Sequence, residues 1–223
     1  IGGVKVIYRQ AGLIHQLGQA QGFAAAVMHP NTWFFRVRWF DSQVPLKKAF
    51  FKPRWMGKPS FSNIAGVFDA RRHMVVIPEL WARKYGAQLA DMGVTYAIYV
   101  QNGYYITKGR PADLDRAYRG ARCILTISED ASRCVALAFP GVERKILRVH
   151  YSVDARCFKP DQAKENIITY MPRKLADHSS KVIFFLRHHL PAHWRIVPID
   201  GMTEAQVAAL LERSKIFMAF SHF

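Results

Sequence analysis

This sequence is short of acid. It has 16 Asp and Glu against 32 Lys and Arg, a net charge of +16. An excess of that size draws in phosphate, whether in nucleic acid, in anionic lipid headgroups or on a substrate. Composition does not choose among the three. Cysteine is also scarce. Cys123, Cys134 and Cys157 are widely spaced and form no C-x-x-C pair, which leaves reduced, structural thiols and a cytoplasmic chain as the expectation. No apolar run approaches the roughly 18 residues that a membrane-spanning helix needs. The opening residues do not read as a signal peptide, and no internal repeat or low-complexity tract is evident. No G-x-G-x-x-G follows a strand, so a dinucleotide fingerprint is not supported. No helix-turn-helix or RNA-binding sheet motif is present.

What is present is a core and a rhythm. Half of the 223 residues are apolar, enough for one large domain or two modest ones. Val4, Ile7, Ala11, Ile14 and Leu17 fall at helical spacing just after Gly2-Gly3. Residues 22–29 read as a short strand, and 33–63 as an irregular insertion. Strands at 73–80, 94–102 and 122–128 then alternate with helices that run to about Met92, over PADLDRAYRG and over EDASRCVALAF. A second alternation follows: a strand at 166–172, a helix at 179–189 and a strand at 194–200. Thr203 and Gln206 make a capping box that opens the next helix. The final KIFMAFSHF reads as a buried strand. Strands separated by helices imply parallel, doubly wound sheets. The polar segment 159–166 is the natural linker between domains at 1–160 and 161–223. Both chain ends read as cut, so the expectation is a fragment whose second domain is incomplete.

Several clusters carry candidate chemistry. Gly2-Gly3 ahead of a helix lets backbone approach a phosphate at a positive N-terminus, or simply makes a tight turn. Asp113 and Asp115 form a D-x-D that suits a divalent metal, although two acids in a first helical turn are ordinary dipole partners. His188, His189 and His193 have ligand-like spacing, but Pro191 breaks the helix between them. Residues 33–58 hold seven Lys or Arg, eight aromatics and one acid. Such interleaving suits bases, an anionic membrane surface, or a loop packed on its own rings. In YMPRK a strand runs into Arg173-Lys174, a plausible diphosphate clamp at a strand's carboxyl end.

Taken in order, these segments resemble one family. IGGVKVIYRQAGLIHQLG, VVIPELW, YVQNGYY, ILTISEDASRCV, VHYSVDARCFKP, IITYMPRK and GMTEAQVAALLERSKIFMAFSHF are similar to successive segments of retaining glycosyltransferases of the GT-B type. These belong to the large bacterial group of surface-polysaccharide sugar transferases. The likeness covers nearly the whole chain and is weakest at 30–72. Tyr151-Ser152 stand where the family usually has Asn-Gly. His178 stands where a donor-domain lysine commonly falls, and Gln101-Asn102 where relatives often carry histidine. The resemblance implies an α/β fold of two Rossmann-like, doubly wound domains, the second incomplete. It implies sugar transfer, with retention, from a nucleotide-diphosphate sugar to a cell-surface glycan or lipid-linked acceptor. Gly2, Gly3, Arg173 and Lys174 would bind the donor diphosphate, and Asn102 and Tyr104 would lie on the acceptor side. No metal or other cofactor is implied. The family's paired glutamates would fall past Phe223, so no catalytic residue is assigned within the chain. The resemblance also allows contact with an anionic inner membrane face. Two alternatives stand beside this one: a basic nucleic-acid-binding α/β module, and a nucleotide-sugar epimerase of the same architecture. Nucleic acid is the less favoured partner, for want of a reading element.

Overall fold

A computed structural model describes residues 2–30, 42–49, 72–150, 153–160 and 162–220. The described residues fall into two compact units, one up to residue 150 and the other from residue 153.

The first unit opens on α1 (Gly2–Gly18), so Gly2 and Gly3 form the helix's first turn rather than preceding it. Strand β1 (Val27–Pro30) begins later than the apolar run suggests, because 22–26 is turn and coil. It pairs in parallel with β2 (Leu46–Ala49), a strand inside the stretch expected to be irregular. A four-stranded parallel sheet follows, ordered β3 (Val75–Pro78), β4 (Tyr96–Val100), β5 (Cys123–Thr126) and β6 (Ile146–Arg148). The sequence reading missed β6, which is three residues long.

Between β3 and β4 runs a helix in three pieces: α2 (Glu79–Trp81), a π-helical turn (Ala82–Gly86) and α3 (Ala87–Asp91). Helices α4 (Pro111–Gly120) and α5 (Glu129–Ala138) make the next two crossovers. Right-handed crossovers between consecutive neighbours put all three helices on one face of the sheet. The core lies there: Ile77, Tyr96, Ile98, Val100 and Ile124 pack against Tyr85, Leu89, Ala117, Tyr118 and Val135. Every residue of β4 is buried, which is why YAIYV has no polar position, as befits an interior parallel strand. Local signals set the helix starts. Pro111 supplies a ready-made first-turn φ for α4, and the Ser128 hydroxyl accepts from the Ala131 N–H at the head of α5.

The second unit is smaller. Its parallel sheet is ordered β8 (Arg195–Pro198), β7 (Glu165–Tyr170), β9 (Ser214–Met218), with α6 (Ala176–His189) after β7 and α7 (Glu204–Arg213) after β8. The expected Thr203–Gln206 capping box is formed. From β7 the chain steps to one neighbour, and from β8 it crosses back over β7 to the other. Opposite steps with the same handedness place α6 and α7 on opposite faces. The packed core is thin, centred on Ile167, Ile199 and Leu210. Strand β9 is an edge strand and not the buried strand expected: Ile216 and Phe217 are 43% and 45% exposed. Phe184 and Phe185 on α6 are also exposed.

Candidate functional site

Parallel strands present all their carboxyl ends to one edge, and in open α/β sheets ligands gather there. In the first unit that edge carries Glu79 after β3 and Gln101-Asn102 after β4. The first turn of α1 comes to the same edge. A Cβ added to Gly3 would stand 3.1 Å from the Gln101 Oε1. The unpaired N–H groups of that turn carry the positive end of the helix dipole.

The loop after β4 is pinned at several points. The Asn102 Oδ1 accepts from the Tyr104 N–H at 2.9 Å, which opens a 3-10 turn over Gly103–Tyr105. Gly103 is buried against α5, where an added Cβ would meet the Cys134 Cβ at 2.9 Å. The Gln101 N–H donates to the Glu79 carboxylate at 3.2 Å. Tyr104, by contrast, is 56% exposed. The structure thus holds Asn102 and Tyr104 together on one short turn.

Glu79 is the residue that sequence reasoning passed over, although the motif containing it, VVIPELW, was noticed. It is only 5% exposed. Burial pushes its carboxyl above the ordinary value, and N–H groups around Gln101 and Asn102 pull it back. Tyr118 on α4 is fully buried, and its hydroxyl is raised by burial and then by the charge of Glu79. A second pair was also missed. The Tyr8 hydroxyl on α1 is hydrogen-bonded to the His29 Nε2 on β1. Burial lowers His29 and raises Tyr8.

In the second unit the edge is built around the loop from β7 to α6. Arg173 and Lys174 lie in that loop and are exposed. The Arg173 guanidinium is 3.7 Å from the Asp200 carboxylate at the end of β8. Leu175 follows with φ 46° and ψ 58°, the left-handed region, directly before α6. It is the one described non-glycine residue with positive φ. A side chain there costs about 1–2 kcal/mol, and such strain collects at ligand sites. The strand order 8-7-9 matches the flavodoxin-like pattern, in which the switch point lies between the first and third strands. Here that crevice opens between β7 and β9, beside the Arg173 loop.

The remaining candidates do not converge. Asp113 and Asp115 bind separate partners on α4, pairing with Arg110 and Arg119. His188 packs edge-on against Phe184. Among the described residues no cluster of His, Cys, Asp and Glu could hold a metal ion, and no helix is long and apolar enough to cross a membrane. Most of the basic-aromatic stretch 33–58 lies outside the described residues, as do Tyr151 and Ser152. No family model matches the chain, and no curated protein matches it.

Proposed function

We propose that the chain is a sugar-nucleotide-dependent glycosyltransferase of the GT-B type. On this reading the second unit binds the diphosphate of the donor and the first receives a glycan or lipid-linked acceptor. The observation that carries the reading is the β7–α6 loop. Two cations, a strained backbone residue and a helix start meet at the carboxyl end of a central strand, beside the switch point of its sheet.

The chemistry suits those groups. As a glycosidic bond to a diphosphate breaks, negative charge grows on the leaving oxygens. Arg173 offers a planar fork to them and Lys174 a point charge, both strongest against developing charge. The N–H groups of Gly2 and Gly3 form a second positive end suited to phosphate. Asn102 and Tyr104 offer polar and aromatic surface of the kind a sugar acceptor uses, and the net charge of +16 suits an acceptor displayed at an anionic inner membrane face.

A thermal-shift panel tests the reading. UDP, GDP, CDP and dTDP are compared with the corresponding monophosphates and with a single-stranded oligonucleotide. The expected result is a shift with at least one diphosphate, larger than with its monophosphate; a ligand at about 100 times its Kd adds about 2.7 kcal/mol. No diphosphate shift, together with oligonucleotide binding that weakens steeply with salt, would favour a nucleic-acid module instead. Product analysis with the matching sugar nucleotide, with and without acceptor, then separates transfer from epimerisation.

A further inference from the structure

A carboxylate at 5% exposure has no obvious reason to be there. Taking it out of water costs several kcal/mol unless hydrogen bonds replace the lost hydration. The replacement comes from backbone N–H groups, its own and those that follow β4. The Gln101 N–H donates to the Glu79 Oε2 at 3.2 Å, and the Asn102 N–H also acts on the same carboxylate. On α4, the Tyr118 hydroxyl is raised by burial and then by the charge of Glu79, and has no hydrogen-bond partner of its own. From α1, Gly3 closes on the Gln101 side chain.

We infer that Glu79 is a positioning residue: its carboxylate fixes the backbone at Gln101 and thereby sets where Asn102 and Tyr104 stand. Its part in sugar transfer rests on the function proposed above; its hold on the loop does not. An ionised carboxylate offers acceptor oxygens to both N–H groups at once. Protonation turns one oxygen into a donor and loosens the turn. Burial raises the carboxyl from its ordinary 4.5, so the loosening is expected in mild acid, before ordinary surface carboxylates titrate.

The test is a set of amide spectra of the 223-residue chain, recorded between pH 4 and 8 for the wild type, Glu79→Gln and Glu79→Ala. In the wild type the Gln101 and Asn102 amides are expected to move together with one midpoint above 4.5. In Glu79→Gln that step disappears, while amides of the second-unit core stay in place. Glu79→Ala is expected to speed hydrogen exchange at Gln101 and Tyr104 about tenfold, with Glu79→Gln recovering most of it. A flat Gln101 amide in the wild type, or the same step persisting in Glu79→Gln, would overturn the inference. If Glu79→Ala does not fold, the wild-type and glutamine titrations still decide. UDP binding to Glu79→Gln is expected to be unchanged. Absence of UDP binding in the wild type would count against the donor reading and leave the titration result standing.

Discussion

Gly86 offers a sharp test of how the first unit is packed. It ends the π-helical turn between α2 and α3, where this helix crosses α4. A Cβ built on Gly86 would stand 2.4 Å from the Ala117 Cβ and 3.3 Å from the Ala117 Cα. Two carbons settle at about 3.5–4.0 Å. Gly86→Ala therefore needs the helices to part by more than 1 Å, by the contrast between that spacing and the 2.4 Å contact. No rotamer change helps, because both obstructing atoms belong to or adjoin backbone. Overpacking of this kind costs about 1–3 kcal/mol, and so short a contact belongs at the upper end. Alanine recovers about 1 kcal/mol of helix propensity over glycine. The net expectation is a loss of about 2 kcal/mol, or a melting temperature lower by about 4–8 °C in a unit of this size. Urea melts of the single and double variants measure it. Adding Ala117→Gly removes the nearest obstruction, so the double variant should recover much of the loss and the two changes should be strongly non-additive. A stabilising Gly86→Ala, or strict additivity, would show that the crossing is not as close as described.

Other perturbations probe the site more directly. Only glycine adopts the Leu175 backbone without strain, so Leu175→Gly should be more stable than Leu175→Ala by about 1 kcal/mol in denaturant melts; equal stability would remove the case for strain. Asp200 pairs with Arg173 at 3.7 Å through an exposed contact; on the proposed function it would compete with phosphate, so Asp200→Asn should tighten UDP binding about two- to fivefold by calorimetry. Weaker binding would mean that Asp200 supports the loop rather than competing with its ligand. Glu79 gives a pH signature. Its carboxyl is raised in the folded chain, so the native state holds its proton more tightly than the unfolded state does. Stability from this group is present below the ordinary carboxylate value and is lost as pH rises through the raised one. Melts from pH 4 to 7 should show the difference between Glu79→Gln and the wild type moving in the variant's favour, and a constant difference would contradict the assigned shift.

The parts of the fold that were legible are those with a strong local cause. Helices α4, α5 and α7 carry Pro111, the Ser128 cap and the Thr203–Gln206 box at their starts, and β4 is apolar at every position because both its faces are covered. What escaped notice depends on neighbours. Strand β6 is three residues long on a sheet edge, with Leu147 52% exposed, so it has no period to detect. Strand β2 hides among lysines because pairing with β1, not its own pattern, makes it a strand. The apolar run in β9 suggested burial, but the run sits on an edge. Glu79 shows the same limit in the candidate site. A glutamate after a strand and before a helix is usually a solvated dipole partner. Here α4 brings the buried Tyr118 within reach of its charge and the β4 loop donates to it, and neither is written near residue 79. The place of Arg173 and Lys174 in a loop after a strand was legible because the strand-to-loop change and the charge coincide in five residues.

The central claim is that the β7–α6 loop holds a nucleotide's diphosphate. Amide and side-chain spectra of the full chain titrated with UDP, repeated on Arg173→Ala and Lys174→Ala, test it most directly. The account predicts saturable shifts at Arg173, Lys174 and Leu175, and a loss of affinity of at least tenfold in each variant, since a charged hydrogen bond is worth about 1.5–3 kcal/mol. Shifts that map elsewhere, or affinity unchanged by both substitutions, would contradict it.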